Sequence, residues 1–100
     1  MSECAYEDFL GATAGYVASY KTLSDRLGVN QKEQFRSTQK LWIQYHTAAC
    51  NFESSGVADG SARPMVNWQC DARMTRARTA ELTALANCKE GDLSCPRFKK

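Results

Sequence analysis

The sequence holds a single histidine, two prolines and six glycines in 100 residues. So little proline and glycine excludes a collagenous or low-complexity chain, and 43% hydrophobic with 24% charged residues is ordinary globular usage. No apolar run approaches the roughly 18 residues needed to span a bilayer. The stretch from Met1 to Leu10 is acidic, unlike the basic start of a signal peptide. Neither G-x-x-x-x-G-K-S/T nor G-x-G-x-x-G occurs, which leaves phosphate cradling without its loop. No Cys-x-x-Cys pair accompanies His46, so a structural zinc site lacks its ligand spacing, and no metal or cofactor is expected. His46 has no patterned serine or aspartate partner for a triad, and the neighbours Glu7 and Asp8 would face different sides of a helix. Catalysis is not expected, and His46 reads as a packing or surface residue.

What is present begins with charge and sulfur. Residues 1–62 carry five Lys/Arg against seven Asp/Glu, and residues 63–100 carry eight against four, so a −2 half precedes a +4 half. The basic end Arg97, Phe98, Lys99, Lys100 reads as a solvated tail, because nucleic-acid binders gather more cations on one face. Cys4, Cys50, Cys70, Cys88 and Cys95 are widely spaced, which suits disulfides and an oxidising compartment: a bacterial periplasm, an outer surface or the secretory route. Their odd number leaves one thiol free, or bonded to a segment upstream or to a second copy.

One domain is expected across residues 1–100. Phe9, Thr13, Tyr16, Tyr20, Leu23 and Leu27 recur at alternating spacings of four and three, which places them on one face of a helix over about residues 5–27. Gly28 is expected to stop it in a left-handed conformation, and Asn30 with Glu33 has the form of a capping box opening a second helix over 31–52. Phe35, Thr38, Trp42, Tyr45, Ala49 and Phe52 give that helix a wide aromatic face, and the short connection makes the two helices antiparallel. Glu53 to Arg63 is loop by composition, and Pro64 suits the first turn of a third helix over 64–87. Gly91 and Pro96 then bracket a turn between Cys88 and Cys95. The expected class is all-α: a three-helix, up-down-up antiparallel bundle with disulfide staples and a short C-terminal appendix.

Alternating helix direction brings the start of the first helix, the end of the second and the start of the third to one pole. Cys4, Cys50 and Cys70 share that pole, and Cys50 with Cys70 would pin the middle loop at both ends. Cys88 and Cys95 would close their own turn at the other pole, leaving Cys4 unbonded. The stripes containing Tyr16, Tyr20, Trp42, Tyr45 and Phe52 read as core rather than a ligand pocket. Arg78 lies near the apolar side of the third helix, with Glu81 a local ion-pair partner.

Taken together, Tyr20-Lys21-Thr22-Leu23, Gln39-Lys40-Leu41-Trp42-Ile43-Gln44-Tyr45, Cys50, Gly60-Ser61, Cys70 and Thr75-Arg76-Ala77-Arg78-Thr79-Ala80-Glu81-Leu82 resemble the LprI-type lysozyme-inhibitor domain over about residues 4–85. That resemblance implies a small helical, cysteine-paired module of the bacterial envelope, periplasmic, secreted or lipid-anchored through an upstream segment. It also implies a further cysteine upstream, which would account for Cys4. In the family an arginine and an acidic residue commonly follow the tryptophan segment; His46 and Thr47 stand there in this chain.

The resemblance implies a protein partner, a lysozyme, and no catalysis by the domain itself. Lysozymes are strongly basic, so an inhibitor is expected to offer them acid. The pole would gather Glu3, Glu7, Asp8, Glu53, Asp59 and Asp71 against Arg63 and Arg73, beside the 53–63 loop. Glu53, Asp59, Ser61 and Arg63 are the candidate contact residues. The alternative is that these acids only complement helix N-termini, in a structural or interaction module of the envelope with another protein partner.

Overall fold

The computed structural model describes residues 2–89 and 91–99, and Met1, Glu90 and Lys100 lie outside the described residues. Three helices carry the fold: α1 (Ser2–Arg26), α2 (Val29–Glu53) and α3 (Arg63–Ala86), with a single 3-10 turn at Ser55–Val57. No strand occurs among the described residues, only an isolated bridge between Leu27 and Phe98. The molecule is elongated, 52 Å by 22 Å by 20 Å.

The α1–α2 corner differs from the expected one. Gly28 is extended, with φ −74° and ψ 174°, and it serves as the N-cap of α2, so the left-handed stop is not used. The helix resumes at Val29, which puts Asn30 inside the first turn, and no side chain caps that end. Two residues, Leu27 and the extended Gly28, reverse the chain. The left-handed glycine is instead Gly91, φ +94°, in the appendix turn, where any Cβ would be strained. Pro64 lies in the first turn of α3 as expected, where its missing N–H costs no helical bond.

Cross-helix partners fix the relative directions. Between α1 and α3 they ascend together: Tyr6 with Trp68, Asp8 with Arg76, Arg26 with Ala86. Between α1 and α2 they run in opposite order, Tyr16 with Trp42 and Tyr20 with Phe35, which supports the up-down-up path. Small buried residues line the first pair, Ala5, Ala12 and Ser19 on α1 and Ala72 and Thr75 on α3. With little side chain between them, α1 and α3 make the most extensive contact in the fold. The backbone of α2 stands off from α1, and stacked rings fill the gap: Tyr20 and Phe35 are 4.5 Å apart, Tyr16 and Trp42 5.4 Å, Trp42 and His46 4.8 Å.

The apolar core collects at the α1–α2 corner, where Leu23, Leu27, Phe35, Leu82 and Ala86 are buried together and Tyr16, Tyr20, Leu85 and Phe98 pack around them. Leu23 and Leu82 are almost wholly buried, each contributing about 1.5–3 kcal/mol by removal from water. Two ring residues expected in the core are outside it. Tyr45 is 66% exposed and Phe52 79% exposed, on a flank of α2 that no other element covers. The tail is also corrected: Lys99 N–H donates to Arg26 O at 2.8 Å, and the Arg26 guanidinium lies 3.9 Å over the Phe98 ring. Phe98 therefore closes the core from below rather than trailing in solvent. The expected place of Lys100 in a solvated tail lies outside the described residues.

Candidate functional site

The pole opposite that corner is built around the bond from Cys50 to Cys70, whose Cα atoms are 5.6 Å apart. Cys88 bonds to Cys95 at the other end, and Cys4 is free and exposed. On the chain-entropy model these closures contribute about 3 and about 2.5 kcal/mol respectively. The larger one spans the 53–63 segment, so the loop leaves α2 and enters α3 from two points that cannot separate.

The loop itself is a run of consecutive turns. Val57 N–H donates to Ser54 O at 3.0 Å, Gly60 N–H to Val57 O at 2.9 Å and Arg63 N–H to Gly60 O at 3.3 Å. Ser54 is fully buried beneath it, with its hydroxyl 3.3 Å from both Asn51 O and Asn67 Oδ1. These bonds satisfy backbone groups locally and fix the loop against α3. Asp59 and Ser61 are exposed on it, while Arg63 is half-buried at the start of α3. Phe52 stands exposed just before it.

Half of the six acids of this pole are committed within the molecule. Arg73 Nη2 donates to both Glu53 oxygens, at 2.7 and 2.6 Å, which holds the guanidinium above its ordinary pKa. Arg76 binds the Asp8 carboxylate, and hydrogen bonding to that guanidinium pulls Asp8 below the usual carboxylate range. Asp71 accepts from Thr75 Oγ1 at 3.1 Å and lies 2.7 Å from His46 Nε2. The contact is close but does not have the geometry of an aligned hydrogen bond. Asp59 has no ion pair among the described residues.

Of the candidate residues, then, Glu53, Asp59, Ser61 and Arg63 share one end of the bundle, but Glu53 presents a paired charge. The signal for its pairing lies in the cysteine register: Glu53 and Arg73 are each within one helical turn of a bonded cysteine, so the disulfide brings the Glu53 carboxylate within reach of the long Arg73 side chain. Trp42 is half-buried in the ring stack between Tyr16 and His46. His46 is thus a packing residue, stacked on Trp42 and facing Asp71. Arg78 is largely buried, and Glu81 Oε1 stays 3.8 Å from its Nη1, inside ion-pair range and outside hydrogen-bond range. Near it the Tyr16 phenol is pushed above its ordinary pKa, chiefly by burial.

Sequence reasoning missed the exposed flank of α2. Leu41, Tyr45, Ala48 and Phe52 follow one another at spacings of four, three and four, and all are solvent-exposed. They form one uncharged stripe that runs to the edge of the loop. Its period was visible, but an apolar period alone does not say which face meets a neighbour. For metal chemistry, Cys88, Asp92 and Cys95 are close together, yet both sulfurs are already committed to a disulfide. No helix is long and apolar enough to cross a membrane among the described residues.

The family profile described as Lysozyme inhibitor LprI matches residues 1–82, which contain all three helices up to the last turn of α3. A curated relative from Rhizobium meliloti (strain 1021), itself called uncharacterized, is 28% identical over 100 residues, spanning 87% of this chain and 72% of the relative. No solved structure matches.

Proposed function

The chain belongs to the LprI lysozyme-inhibitor family, matched over residues 1–82, and from that premise we propose that it is a non-catalytic inhibitor acting outside the cytoplasm. The proposed contact is the disulfide pole: the 53–63 loop with Asp59 and Ser61 at its tip, Arg63 at its base and the Glu53–Arg73 pair on its edge. The observation that carries this reading is the fixed loop. Cys50–Cys70 ties the two flanking helices together, buried Ser54 pins the start of the loop to α3 and consecutive turns order the rest, so binding would cost little ordering entropy. The two disulfides support an oxidising compartment. At the same pole, Cys4 keeps an exposed thiol for a cysteine upstream or a second copy, which non-reducing electrophoresis reads directly.

The test is loss of cell-wall turbidity under a lysozyme, with and without the oxidised protein. Slowing at modest molar excess is expected, and no slowing at large excess would remove the reading. Asp59→Lys is the sharper probe, since Asp59 has no ion pair among the described residues: inhibition should weaken by about tenfold at low salt and by less at high salt. Glu53→Lys should weaken it too, though part of that loss would come from releasing Arg73.

A second reading is favoured by the stripe Leu41, Tyr45, Ala48 and Phe52. It is uncharged, and three of the six acids at the pole are spent internally, so a less basic envelope protein would suit this surface. Tyr45→Glu separates the two: it should abolish such an association while leaving inhibition through the loop intact.

A further inference from the structure

Beside the α1–α2 corner, far from the disulfide pole, a cleft of about 290 Å³ opens between the three helices and the appendix. Its walls are Leu23, Leu27, Phe35, Leu85 and Pro96, and the exposed polar residues Gln34 and Thr38 stand at its rim. Among the described residues, the charged side chain that lines this apolar space is Arg78. The Arg78 side chain is only 13% exposed, its Nε is buried with no hydrogen-bond partner, and its nearest carboxylate oxygen, on Glu81, is 3.8 Å away.

A buried guanidinium cannot escape its desolvation by losing a proton, unlike a lysine, so it is stable only with an anion or several acceptors around it. Glu81 gives weak compensation, because its own side chain is 63% exposed and its oxygen is beyond hydrogen-bond reach. The fork geometry of a guanidinium matches a carboxylate in particular. An apolar cleft at the small end of the range for ligand sites, with one unfilled cation in its wall, selects for a slim amphiphile carrying one negative group.

We propose that this cleft binds a medium-chain fatty acid, its hydrocarbon against Phe35, Leu85 and Pro96 and its carboxylate on Arg78. The hydrophobic walls supply affinity in proportion to the chain buried, and Arg78 supplies the choice of anion over alcohol or cation. A two-chain phospholipid exceeds the volume available. The site stands apart from the 53–63 loop and does not rest on the lysozyme reading.

Calorimetric titration of the oxidised full chain with decanoate, below its micelle-forming concentration, tests the assignment. Decanoate should bind at least about tenfold tighter than decanol, and decyltrimethylammonium weaker still, as expected when one charge-assisted contact decides. Arg78→Gln should erase the preference over decanol. Because that variant removes a buried side chain and could lose its fold, Thr38→Trp at the exposed rim is the companion: it should fill the cleft and weaken decanoate at least about tenfold with the helical circular dichroism unchanged. Equal affinity for decanoate and decanol, no heat with either, or full affinity in Thr38→Trp would overturn the proposal.

Discussion

At the α1–α2 corner Leu23, Leu27, Phe35, Leu82 and Ala86 exclude water together, whereas at the opposite pole a disulfide sits among alanines, a buried serine and surface ion pairs. The first end is held chiefly by apolar area removed from solvent, with the Cys88–Cys95 closure of the appendix beside it. The second is held by a covalent restraint on the unfolded chain, with charged contacts that are half-exposed and so worth little each. A domain this small gains from both kinds of restraint, and concentrating the large apolar side chains at one end leaves only small buried residues such as Ala5 and Ala72 at the other. That end can carry a shaped loop and exposed side chains without exposing the packing that holds the fold.

The contrast is broken most severely by Leu82→Ala, which empties a fully buried site at the packed end. Urea unfolding of the oxidised protein should show a loss of about 3–5 kcal/mol. At the other end, Cys50→Ala with Cys70→Ala should cost about 3 kcal/mol by the same measurement. It should also raise amide hydrogen exchange through the 54–62 turns, which Leu82→Ala should leave much less affected. Phe98→Ala comes next, at about 1–2 kcal/mol, from the lost ring area and the lost stacking on Arg26. A tail that merely trailed in solvent would show no change.

The smallest effect is electrostatic. Asp8 is pulled below the ordinary carboxylate range by Arg76, so the folded state binds a proton there less readily than the unfolded state. Its contribution is complete above the unfolded carboxylate pKa of about 3.9 and is lost as pH falls through the lowered folded value. Carbon-detected titration of the Asp8 carboxyl should give a depressed midpoint, which Arg76→Gln should return to the ordinary range. An ordinary midpoint in the unmodified protein would mean that the pair does not persist in solution.

The sequence made the helices and the packed corner readable because alternating three and four spacings select a face, and Leu23, Leu27 and Phe35 are on theirs. The same spacing misassigned Tyr45 and Phe52. Helix α2 has two uncharged stripes, one through Phe35, Gln39, Trp42 and Cys50 and one through Leu41, Tyr45, Ala48 and Phe52, and among the described residues only the former meets a neighbour. Choosing between them needs the helix's rotation about its axis, which no spacing encodes. Gly28 was misread for a related reason: a glycine at a corner suits several conformations, and the tight reversal selects the extended one. Phe98 was hidden by its charged neighbours, since its partners at residues 26 and 27 are far away in the chain. Of the pole, the position of the loop and its cysteines was legible, while the commitment of Glu53, Asp8 and Asp71 to internal partners depended on cross-helix register.

The backbone bond from Lys99 to Arg26 anchors the final described residues beside the reversal, while α1 begins at the far end with the disulfide. An affinity handle joined after the last residue would therefore emerge remote from Asp59 and Ser61, and a sensor chip loaded that way would display them outward. Coupling through the amino end would instead press the same side chains toward the support, and a weak or absent response in that orientation would report the geometry of attachment rather than of recognition.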